Sequence, residues 1–176
     1  MKKFILSGIV FLALISSGSA TGIGVGGFGG VSIPIIQEDQ GNGTVFGIRG
    51  KLKLIPGFTV EPVLAFNQFG DADSDFGTRD GSKVTYYGVD LILGGMGVPI
   101  GPRVYLVGGM AFYSFSRDYD EDETRLGLSA GLGIEIGLGK TLGLDFRGKL
   151  HLVTQDGGGS RKMANITAGI NYYLGI

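Results

Sequence analysis

Apolar and polar side chains alternate along residues 142–154. Leu142, Leu144, Phe146, Leu150 and Leu152 fall on one face with Gly148; Gly143, Asp145, Arg147, Lys149 and His151 fall on the other. A period of two marks a strand with two unlike faces. The same alternation sets Phe46, Ile48, Leu52 and Leu54 against Arg49, Lys51 and Lys53. It also sets Leu126, Leu128, Ala130, Leu132, Ile134 and Ile136 against Arg125, Gly127, Ser129, Gly131, Gly133 and Glu135. Eight such segments are predicted, at 22–36, 44–54, 58–69, 83–95, 103–115, 124–137, 142–154 and 162–176. Each is close to the roughly 9–11 tilted residues that cross a bilayer as a strand. In 103–115 both faces are fairly apolar, so that segment shows its orientation least clearly.

The connections alternate too. Residues 37–43, 70–82, 116–123 and 155–161 are polar and charged, whereas 55–57, 96–102 and 138–141 are shorter or less charged. Long loops at one end and tight turns at the other fit an up-and-down transmembrane barrel with both termini in the periplasm. Twelve of the acids lie in the four polar connections: Glu38, Asp39, Asp71, Asp73, Asp75, Asp80, Asp118, Asp120, Glu121, Asp122, Glu123 and Asp156. The remaining four, Glu61, Asp90, Glu135 and Asp145, share a face with glycines and basic residues. The leucine-rich face therefore carries no carboxylate in mid-strand. A lysine or arginine there would cost about 2–4 kcal/mol at the bilayer midplane, and closure satisfies the backbone groups that an open sheet would expose to lipid.

The first twenty residues read as a secretory signal, with Lys2 and Lys3, an apolar run from Phe4 to Ile15, and small residues Gly18, Ser19 and Ala20 at the cut. Residues 1–20 are thus expected to be removed and 21–176 to form one barrel domain. The net charge of −1 gives no reason to expect a nucleic-acid partner. With no cysteine there is no disulfide framework and no thiolate site.

Aromatic residues fall near strand ends: Phe58, Tyr105 and Tyr172 on the turn side, and Phe46, Phe66, Tyr87 and Phe112 on the loop side. Two interfacial girdles are expected. Eight strands enclose a space that their own side chains just fill. That space is expected to hold an ion-pair cluster of Arg49, Lys51, Glu61, Asp90, Glu135, Asp145, Arg147 and Lys149, alongside Lys53 and Arg125. A symmetric hairpin at Pro56 places Lys51 opposite Glu61. The alternative is a narrow polar conduit, with inward glycines at 22, 24, 26, 127, 131 and 133 leaving room for water. Size favours the plug.

Three motifs suggest chemistry. Gly24-Val25-Gly26-Gly27-Phe28-Gly29 fits a dinucleotide fingerprint but lacks the strand before it and the helix after it. His151, the single histidine, has Leu152 and Val153 as neighbours and no nucleophile placed beside it. The runs Asp71-x-Asp73-x-Asp75 and Asp118-x-Asp120-x-Asp122 are spaced carboxylates in two long loops, and the first begins like a calcium loop. In the first, Gly77 comes a position late and Ser82 stands where a bidentate glutamate belongs. No catalytic, cofactor or metal site is expected.

The last strand carries Thr167-Ala168-Gly169-Ile170-Asn171-Tyr172-Tyr173-Leu174, and here the chain resembles the eight-stranded outer-membrane barrels of the OmpA/OmpX type. Thr167, Gly169, Tyr172 and Leu174 match that family's assembly signal, although the chain ends in Ile176 where the family usually has phenylalanine. The resemblance implies the barrel-assembly machinery as a transient partner and an ion-paired lumen. It leaves no room for the peptidoglycan-binding domain of the longer members. The expected protein is a monomeric, non-enzymatic barrel among outer-membrane lipid and lipopolysaccharide, with a surface-interaction role. The alternatives are a small ion or solute channel and, less favoured, a lipid-modifying enzyme.

Overall fold

The computed structural model describes residues 22–35, 41–70, 72–74, 77–79, 82–95, 101–117, 120–155 and 159–174. The expected signal segment, parts of the acidic connections and Ile176 lie outside them. Ten strands occur: β1 (Gly22–Ile35), β2 (Gly41–Ile55), β3 (Phe58–Gly70), β4 (Ala72–Ser74), β5 (Gly77–Arg79), β6 (Lys83–Gly94), β7 (Gly101–Arg117), β8 (Asp120–Gly137), β9 (Leu142–Thr154) and β10 (Ser160–Leu174). Eight of them close an antiparallel barrel in the order β1-β10-β9-β8-β7-β6-β3-β2, while β4 and β5 pair only with each other. No helix among the described residues is long and apolar enough to cross a membrane.

Two segments differ from the sequence reading. Residues 70–82 contain the short β4–β5 hairpin. Most of the predicted loop 116–123 is strand, because β7 runs to Arg117 and β8 begins at Asp120. Charged side chains do not end a strand whose backbone stays paired, and the β7–β8 ladder continues through Phe115 and Glu123. At the opposite end, Pro56 and Gly57 turn the chain between β2 and β3. Gly57 has φ 81°, the positive value required after a proline in a type II turn.

The wall is staggered. Paired residues lead from Gly24 to Lys51, across the hairpin to Glu61, then to Asp90, Gly109, Ser129, His151, Met163 and Pro34. The circuit thus returns to β1 ten residues beyond its start. With about 3.3 Å per residue and about 4.8 Å between strands, that stagger tilts the strands by about 40°.

The outer face is apolar and exposed, with Ile48, Val104, Leu106, Leu128, Leu132, Leu150, Ile166 and Ile170 among its members. At the loop-side ends, outward Phe46 stacks on Phe66 with ring centroids 5.4 Å apart, and Tyr87 meets Phe112 at 5.6 Å. Tyr172 is exposed on the turn side. Tyr105 departs from the girdle expectation: it is 1% exposed and points inward. Its hydroxyl belongs to the lumen's hydrogen bonding, which outweighs the interfacial preference of an aromatic ring.

Five of the inward glycines lack the open space that the conduit alternative requires, because neighbouring atoms lie where their own side chains would be. A Cβ on Gly133 would strike the Tyr105 ring, one on Gly131 the Lys149 stem, one on Gly26 the Asn171 amide and one on Gly24 the Tyr173 ring. On Gly127 it would come within 2.6 Å of Tyr113 Cε2. Each glycine makes room for a bulky residue on the next strand, so these positions fill the lumen instead of widening it.

Candidate functional site

Strand parity turns every second side chain inward. The inward charges gather in the turn-side half of the lumen, on β2, β3, β6, β8 and β9. Glu61, on β3, accepts two hydrogen bonds from Arg147 on β9: Nη1 to Oε1 at 2.6 Å and Nη2 to Oε2 at 3.1 Å. In the barrel order three strands separate β3 from β9 in either direction, so this fork spans the lumen. Lys51 Nζ, on β2, lies 3.3 Å from Glu61 Oε2, 3.3 Å from Glu135 Oε2 and 3.6 Å from Asp145 Oδ2. Arg49 Nη1 pairs with Asp145 Oδ1 at 3.0 Å. Lys149 Nζ donates to Asp90 Oδ2 at 2.6 Å.

Neutral groups complete the network. Tyr105 Oη donates to Asp145 Oδ2 at 2.7 Å and accepts from Arg147 Nε at 2.9 Å. Asn171 Nδ2 and Tyr173 Oη both donate to Glu135 Oε2, at 2.7 and 2.6 Å. The structure therefore brings together all eight charged residues singled out in the sequence and adds Tyr105, Asn171 and Tyr173. Asn171 and Tyr173 were legible as inward by parity, but nothing in the sequence assigned them to Glu135. All eight charged side chains are buried, and four cations face four carboxylates.

The loop-side half of the lumen is built differently. Val45, Val63, Ala65, Phe69, Val84, Tyr86, Ala111, Tyr113, Val153 and Met163 form one buried apolar cluster, with Phe28 and Phe115 against it. At the mouth, the Arg161 guanidinium from β10 lies 4.6 Å from the Phe115 ring centre on β7. His151 sits inside this half. Its Nδ1 shares a hydrogen bond of 2.7 Å with Tyr113 Oη, and its ring lies 5.2 Å from that of Tyr86. Both ring neighbours are phenolic, and they pack the imidazole from two sides.

No group of metal-ligating side chains occurs among the described residues; the side chains of Asp71, Asp73, Asp75, Asp118, Asp120 and Asp122 lie outside them. In the last strand, Thr167 and Gly169 face the lumen, while Tyr172 and Leu174 are exposed on the outer wall. Gly169 lies under Arg49 and Phe28: an added Cβ would come 2.9 Å from Phe28 Cβ and 2.6 Å from the Gly27 carbonyl oxygen.

Comparison with known proteins locates this architecture. Residues 4–173 match the family model of the outer membrane protein β-barrel domain. A search of the curated proteins gives no match. Among solved structures, the Neisserial surface protein A has 14% identity and a TM-score of 0.71 over 85% of this chain and 96% of that one. OprG from Pseudomonas aeruginosa has 16% identity and a TM-score of 0.60 over 90% and 99%. The N-terminal barrel domain of Pseudomonas aeruginosa OprF has 14% identity and a TM-score of 0.59 over 88% and 98%. At these identities the likeness is one of fold.

Proposed function

The chain belongs to the outer membrane protein β-barrel domain family, and from that premise we propose that it is a non-enzymatic integral barrel whose lumen is closed and whose loops meet the outside of the cell. The observation that carries this reading is the charged network between opposite walls. Each of its four cations is within ion-pair distance of a buried carboxylate, and the apolar cluster fills the lumen above it. An ion entering the barrel would have to displace these pairs and then pass a layer with no charge to receive it.

The same reading assigns residues 1–20 to a cleaved export signal, both termini to the periplasm and the acidic connections to the outer surface, among lipopolysaccharide and its cations. It takes the mature protein as a monomer that meets the barrel-assembly machinery once, through the strand bearing Thr167, Gly169, Tyr172 and Leu174. Single-channel recording of the purified mature protein in planar bilayers tests the closed lumen. The expected trace has no unitary steps. Reproducible unitary steps from the purified protein would favour the channel alternative instead.

A further inference from the structure

Where the charged half of the lumen meets the apolar half, a cavity of about 10 Å³ is lined by Phe28, Arg49, Val63, Tyr86, Asp90, Arg147, Lys149, Asn165 and Thr167. Two buried polar groups in its wall have hydrogen-bonding capacity left over. Arg49 is 4% exposed; its Nε donates to Asn171 Oδ1 at 3.1 Å and its Nη1 pairs with Asp145, but its Nη2 has no acceptor. Asn165 is 3% exposed, and neither its Oδ1 nor its Nδ2 has a hydrogen-bond partner. Arg49, on β2, offers a donor, and Asn165, on β10, offers an acceptor as well as a donor. A buried donor or acceptor left alone costs about 1–3 kcal/mol, and such groups in folded proteins are almost always satisfied by protein or by ordered water.

We infer that this cavity is a binding site for a single internal water that accepts from Arg49 Nη2 and donates to Asn165 Oδ1. Size and charge select the occupant. A water needs roughly 10–15 Å³ of such space and two to four polar partners, and the cavity meets the lower end of that range, with no room for a second molecule. Three of the wall residues are cations, which by themselves would suit a halide. Each is already engaged, however: Arg49 with Asp145, Arg147 with Glu61 and Lys149 with Asp90. The network of four cations and four carboxylates leaves no net charge for an anion to neutralise. An acceptor that also donates is needed to serve Asn165 Oδ1, and a halide cannot donate. The water therefore joins Arg49 in the ionic layer to Asn165 above it.

Crystals of the mature barrel grown with bromide as the only halide, diffracting well enough to show ordered solvent, decide the matter. The expected result is one water-sized peak within 3.2 Å or so of both Arg49 Nη2 and Asn165 Oδ1, a normal hydrogen-bond length, without anomalous signal at the bromine edge. A bromine signal there would overturn the neutral occupant. An empty cavity, with Arg49 and Asn165 turned to other partners, would overturn the site itself. A file of water peaks running from rim to rim would overturn both this inference and the closed lumen, whereas single-channel steps with an isolated peak would touch only the latter. In Asn165→Leu the peak should vanish while the Arg49–Asp145 pair remains, and a peak that persists there would show that Asn165 does not hold it.

Discussion

Glu61 and Arg147 are held by opposite walls of the barrel and meet in a two-bonded fork at 2.6 and 3.1 Å. The pair works as a strut across the lumen, and Lys51 braces it from the neighbouring strand at 3.3 Å. A buried ion pair adds little net stability compared with apolar residues of the same volume, but removal of one partner strands the other.

Glu61→Ala should therefore lose about 3–5 kcal/mol of stability, the range for a broken buried pair. Lys140→Ala, at an exposed position in a turn, should stay within about 0.5 kcal/mol of the parent. Urea unfolding in lipid vesicles, followed by tyrosine fluorescence, measures both. Equal midpoints would show that the fork contributes nothing.

Gly133 and Gly148 should respond in opposite ways to the same methyl group. On Gly133 it meets the Tyr105 ring, whose hydroxyl is tied to Asp145 and Arg147 and cannot swing aside. Overpacking of this kind costs about 1–3 kcal/mol. On Gly148, which faces outward, the methyl meets nothing within 4 Å, and alanine there should be neutral or slightly stabilising. A similar loss in both variants would mean that Gly133 is held by its backbone and not by the ring.

The exposed leucines test the surrounding solvent. Leu132→Arg, in the middle of β8, should cost about 2–4 kcal/mol in a bilayer, and Leu138→Arg, in the turn that follows, about 0–1 kcal/mol. Both side chains are more than half exposed, at 63% and 54%, so burial within the protein cannot produce the difference. Refolding of the two variants into vesicles reads it directly.

A closed, lipid-facing wall also predicts behaviour in detergent. The mature protein should stay folded in SDS without heating and run faster than after boiling. Identical mobility in the two lanes would contradict a wall whose backbone groups are all satisfied by neighbouring strands.

How much of this was legible beforehand follows from what a period of two can say. It assigns a side chain to one face from the chain alone, so the eight wall strands and the inward set at Arg49, Lys51, Glu61, Asp90, Glu135, Asp145, Arg147 and Lys149 could be read directly. It says nothing about the far side of the lumen. The hairpin at Pro56 placed Lys51 near Glu61, but the fork from Arg147 depends on how eight registers add up around the wall. Tyr105 was misplaced because an aromatic near a strand end fits a girdle equally well, and only its hydroxyl's partners decide. The two apolar faces of 103–115 have a physical cause as well. Val107, Ala111, Tyr113 and Phe115 all line the lumen's core, and most of them reach into its apolar half, so one side of that strand meets lipid and the other meets packed hydrocarbon.

The stagger of ten residues raises a question of selection that alternation cannot answer. Sliding β1 past β10 by two residues leaves every side chain on its proper face, so inside-out patterning is blind to even slips. Volumes are not. In the observed seam Phe28 lies beside Gly169, Tyr173 beside Gly24 and Asn171 beside Gly26. A slip of two in one direction sets Gly26 against Gly169 and Phe28 against Thr167; in the other it sets Gly30 against Gly169 and Phe28 against Asn171. Either leaves a hole at one level and a collision at the next. The circumference of this barrel is thus chosen among even values by the order of large and absent side chains along its closing edge, a numerical code written in glycine.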